Sequence, residues 1–158
     1  MRSVLLLLAF IPFTTLSAQQ KSLSGAYLTV KDNLVANDSV STKKSATALV
    51  EAIGNMKMKG VAKDSAKVFA AAKAKMLDFA TKMSATQNVN RQREFFSGLS
   101  QSFWKVASLA AMPADLYYQR CPMTGVTWVS NEKAIKNPYY PKNMLTCGEV
   151  IGEKGATL

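Results

Sequence analysis

The sequence predicts a mainly helical α+β chain, a four-helix bundle carrying a small β-containing lobe at its C-terminal end. Two observations lead there. Apolar residues recur at alternating spacings of three and four up to about residue 111, which is the signature of helices that bury one stripe against others. After Pro113 the texture changes to short alternating, aromatic and β-prone runs broken by Gly and Pro.

The first helix is expected over Ser24–Ala36, with Tyr27, Val30 and Leu34 on one stripe. Asn37-Asp38-Ser39 breaks it and caps the second, Val40–Met58, whose stripe is Ala46, Leu49, Ile53 and Met56. The third begins near Asp64-Ser65 and runs to Met83 through Phe69, Ala72, Met76 and Phe79. The fourth follows Asn88 and reaches about Ala111, with Phe96, Leu99, Phe103, Val106 and Ala110 in line. Phe69, Phe79, Phe96, Leu99 and Phe103 are expected in the core. Short polar connections make neighbouring helices antiparallel, hence a bundle. In the lobe, Leu116–Met123 and Val126–Ser130 flank the turn signal Thr124-Gly125 and read as a hairpin. Met144–Ile151 is a third strand candidate, and Gly155–Leu158 is expected to fray.

The N-terminus has its own logic. Met1-Arg2 is basic, Val4–Ile11 is apolar, and Thr14–Ala18 is small, followed by Gln19-Gln20. That order is a cleavable signal peptide, residues 1–18, leaving a single domain over 19–158 with the helical bundle at 24–111 and the lobe at 113–151. The apolar run is far short of the roughly 20 residues a membrane span needs. No transmembrane segment is expected after cleavage, and the location is periplasmic or secreted. Residues 19–112 hold 14 basic and 6 acidic side chains; 113–158 hold 5 and 4. The excess is spread as single lysines at helical spacing, a solvated surface rather than a nucleic-acid site.

The chain has no His. That removes the commonest general base and imidazole metal ligation. No nucleotide loop is present either, so no enzyme is expected. The residues with distinctive chemistry are sulfurs. Cys121 and Met123 stand two apart, and Met144 and Cys147 three apart. Folding the lobe could bring the four together. Soft sulfur donors suit Cu(I) or Ag(I), whereas hard ions want the carboxylates this lobe largely lacks. A Cys121–Cys147 disulfide explains the same cysteines in an oxidising compartment, closing a loop worth roughly 3.5 kcal/mol on the chain-entropy account. Both readings stay open, and both require the two cysteines to be adjacent.

Several stretches together resemble a domain family of unknown function, number 3347. They are Gln92-Arg93 with Phe96 and Leu99-Ser100, Tyr118–Met123, Gly125 with Trp128–Glu132, and Ile135 with Asn137–Tyr140 and Met144–Glu149. That family occurs in the periplasm of Bacteroidota, alone or fused to adaptor proteins of heavy-metal efflux pumps. The resemblance implies a copper or silver role, Cys121, Met123, Met144 and Cys147 as ligands, and an efflux adaptor or pump as partner. The chain departs from the family in lacking a His in its helical part and in carrying Thr124 and Thr127, where Ala and an aromatic are usual.

Overall fold

The computed structural model describes residues 22–57 and 61–157; the expected signal segment lies outside them. Among the described residues the chain is mainly helical α+β. Helix α1 spans Leu23–Val35, α2 Ser39–Gly54, α3 Ala66–Ser84 and α4 Val89–Leu109, with a 3-10 turn at Lys63–Ser65 before α3. Three of the four helices start on a side-chain cap, while Ser65 before α3 makes none. Ser22, Asp38 and Asn88 each accept a backbone N–H from the first turn, satisfying groups that otherwise have no partner. Consecutive helices pack on one another. Tyr27 of α1 also stacks on Phe96 and Phe103 of α4, at ring separations of 5.3 and 4.1 Å.

The predicted stripes are the core. Tyr27, Val30, Leu34, Leu49, Ile53, Phe69, Met76, Phe96, Leu99, Phe103 and Val106 are all buried. Phe79 is a correction, being only half-buried. Its ring lies over Gly98, where a Cβ would collide with it, so it roofs the α3/α4 contact instead of entering it. Helix α2 is shorter than expected, ending at Gly54 rather than Met58, because Ile53 is the last position it buries fully. None of the described helices is long and apolar enough to cross a membrane.

Strands β1 (Leu116–Arg120), β2 (Thr127–Ser130) and β3 (Glu149–Lys154) form an antiparallel sheet in the order β2-β1-β3. β2 packs against α4 and α1. The hairpin is where the sequence placed it. The third strand is not: Met144–Cys147 is a loop and pairing starts at Glu149, about five residues later. Loop hydrogen bonds take the backbone first, from the Met144 N–H to the Tyr140 carbonyl and from the Cys147 N–H to the Met144 carbonyl. The tail also differs from expectation. It is tied back to the start of the lobe, since the Thr157 N–H donates to the Met112 carbonyl and the Ala156 N–H to Asp115 Oδ1.

Candidate functional site

Cys121 follows directly on β1. Side chains two apart along a strand share a face, and Cys121 and Gln119 are both buried on the inner one. The hairpin closes over it. The Cys121 N–H donates to the Val126 carbonyl (3.0 Å), and the Gly125 N–H donates to the Cys121 carbonyl (2.8 Å). Gly125 has φ +74°, a conformation that side chains resist, so the turn requires glycine there. Pro122 has no N–H to offer. The N–H groups of Met123 and Thr124 and the Thr124 hydroxyl favour the thiolate form of Cys121.

Cys147 arrives from the other side of β1. Arg120 pairs with Glu149 in the β1/β3 ladder, and their side chains form an ion pair at 2.6 Å. That pairing brings the chain just before Glu149, Gly148 and Cys147, alongside Cys121. Asn137 shapes the loop. Its side-chain amide donates to the Cys147 carbonyl (3.2 Å), its N–H donates to the Leu145 carbonyl (2.8 Å), and its Oδ1 accepts the Tyr139 N–H (2.9 Å). Gly148 lies against Trp128 and Ile135 so closely that a Cβ would collide with both. The Trp128 Nε1–H donates to Gln119 Oε1 at 2.6 Å, and Gln119 Nε2 donates to the Glu132 carbonyl at 2.8 Å, so this buried layer is satisfied.

The two sulfurs meet at 2.7 Å, the adjacency that both the metal and the disulfide readings require. Burial works to raise the Cys121 thiol, but the Cys147 thiol, the Thr124 hydroxyl and the two turn N–H groups outweigh it and bring its pKa below the ordinary thiol value. For Cys147, the neighbouring Cys121 first and burial second push the thiol up.

The methionines behave differently from the cysteines. Met123 serves the pair through its backbone, while its residue surface is 76% exposed. Met144 is half-buried, and its carbonyl accepts the Cys147 N–H. Among the described residues no group of three or more His, Cys, Asp or Glu side chains could hold a metal ion. Cys121 and Cys147 are the side chains that would hold a soft ion, and their sulfurs would have to part from 2.7 Å to admit one. Cys121 is fully buried and Cys147 half-buried.

Asn137 and Gly148 organise the site although the sequence reading gave neither a role of its own, and Thr124, read there only as a turn residue, acts on Cys121 as well. Asn-Pro is a recognisable turn former through its side-chain oxygen. Which strand end that turn serves depends on long-range pairing.

A family model described as a protein of unknown function, DUF3347, matches residues 23–112. The chain belongs to this family. The DUF3347 match spans the four helices and ends at Met112, so the lobe motifs and all four sulfur residues lie beyond it. No curated protein and no solved structure matches this DUF3347 chain.

Proposed function

We propose that the chain is an exported soft-metal binding protein, periplasmic or secreted, that holds Cu(I) or Ag(I) between Cys121 and Cys147. The observation that carries this reading is the convergence of two cysteine sulfurs from separate loops on one spot. Thiolates select soft monovalent ions, and the nearby carboxylates Glu149 and Glu132 are engaged with Arg120 and Lys136. Met123 and Met144 are the further donors, each on a loop that already carries one of the cysteines. The motifs around the pair resemble a family associated with heavy-metal efflux, so an efflux adaptor or pump is the partner we infer. Catalysis is not part of the proposal. We also infer that the four helices close into a bundle, supported by the stacking of α1 on α4 through Tyr27.

A second reading has its own observation. Sulfurs 2.7 Å apart are within easy reach of the bond of about 2.05 Å that would staple the lobe as an interaction domain without metal. Cu(I) competition against a chromophoric chelator, with reduced and oxidised protein, separates the two. Soft-metal binding predicts that reduced protein competes and that Cys121→Ser, Cys147→Ser and Met123→Leu each weaken it. No competition by reduced protein, or binding indifferent to both cysteine changes, leaves the staple as the better account.

A further inference from the structure

A second surface of the molecule is built for an occupant, and it lies in the helices rather than the lobe. Between α3 and α4 runs an open groove of about 780 Å³. Its floor is apolar and low, made of Val68, Ala71, the Phe79 ring and the Gly98 backbone, with Val68 53% exposed. Lys67 and Lys75 stand along one rim and Lys105 on the other. None of these three lysines is in an ion pair among the described residues. The only carboxylate of the lining, Asp78, is already held by Lys82 at 2.7 Å. Ser102 lines the groove at 5% exposure.

We propose that this groove docks an α-helix of a partner protein, one with small apolar residues along the inserted face and Asp or Glu on both flanks. The small side chains of Ala71, Ala74 and Ser102 allow a third helix to come within the usual 8–10 Å of axis separation. Lysines on both rims then meet acidic flanks, as charged positions beside a helix seam set partner choice. A second copy of the chain does not fit, because its helical part is itself basic, 14 positive against 6 negative side chains over residues 19–112. Residues 1–21 do not fit either, since they contain Arg2 and Lys21 and no carboxylate. The groove lies wholly inside the span that defines the family, and the proposal is independent of the sulfur site.

The test uses a fluorescein-labelled helical peptide of about four turns, with an Ala/Leu face and Glu flanks, titrated with the full protein by fluorescence anisotropy. Saturable binding is expected, and the same peptide with Lys flanks should not bind. Lys67→Glu/Lys75→Glu/Lys105→Glu should weaken binding at least about tenfold. Ala71→Trp and, separately, Ala74→Trp, which fill the groove at exposed positions without changing charge, should do the same. Lys44→Glu/Lys57→Glu/Lys142→Glu, the same charge change elsewhere, should bind as wild type. The proposal is overturned if that control triple weakens binding equally, if both Trp variants bind normally, or if a dansylated long-chain carboxylate occupies the groove while the peptide does not.

Discussion

At Tyr27 one side chain joins the helices to the sheet. Its ring stacks on Phe103 with planes 5° apart, and its hydroxyl shares a 2.7 Å hydrogen bond with Ser100 while accepting the Val129 N–H at 3.1 Å. Burial drives its phenol pKa above the ordinary value of 10, and the two hydrogen bonds only partly offset that, so the hydroxyl stays neutral. Tyr27→Phe keeps the stacking and strands a buried backbone donor. It should cost about 1–3 kcal/mol in urea unfolding, and a wild-type midpoint would show that another acceptor takes the Val129 N–H. The burial of Tyr27 was legible from its place on the first stripe. Its hydroxyl partners were not, because Val129 lies 102 residues away and no local pattern encodes that pairing. The sulfur residues divide in the same way. That Cys121 and Cys147 had to be adjacent followed from either chemistry open to them. The outward turn of Met123 is set by the backbone of a four-residue loop, and residue spacing does not carry it.

Among the elements, α2 shows how much a start signal contributes. Asn37 takes a left-handed φ of +58° to end α1, and Asp38 Oδ1 then accepts the Ser41 N–H at 2.9 Å. The Ser41 backbone bond, reinforced by the Ser41 hydroxyl and opposed slightly by burial, holds the Asp38 carboxyl below its usual range. A carboxyl depressed on folding stabilises the protein above its unfolded pKa and loses that contribution as pH falls through the folded one. Asp38→Ala should therefore lower Tm at neutral pH, with the deficit shrinking as the pH drops below about 4. A deficit that is constant with pH would place the effect outside the cap. The helices could be read from sequence because their stripes are local and periodic. The third strand could not, because Met144–Ile151 is β-prone throughout and its start is decided by Asn137 and the Arg120–Glu149 pair, which belong to other segments.

For the molecule as a whole, Arg93 adds a polar tie between helices and lobe to the packing of β2 on α1 and α4. Its Nε–H donates to the Pro138 carbonyl (2.9 Å), and one terminal nitrogen donates to both the Leu34 carbonyl (3.2 Å) and Asn37 Oδ1 (2.9 Å). One planar fork thereby ties α4 to the end of α1 and to the Pro-Tyr-Tyr-Pro loop. A lysine cannot reproduce that geometry. Arg93→Lys should leave the helical circular dichroism intact while hydrogen exchange speeds up at Tyr139 and Tyr140, whose N–H groups bond to Asn137. Uniform loss of protection across the helices would mean that the lobe and helices unfold as one unit.

The wedge of Trp128 against Gly148 gives the protein an optical readout of its own. Trp128 is fully buried and donates to Gln119, while Trp104 stacks on Tyr118 at 5.0 Å and is half-exposed. Their emissions should differ in colour, the buried indole to the blue and the other to the red. Aqueous iodide should dim the red component first. Ag(I) added to reduced protein should dim the blue one, since a heavy ion on Cys147 sits one residue from the backbone that the Trp128 ring touches. If silver dims both components in proportion, the ion is not arriving at that end of the lobe.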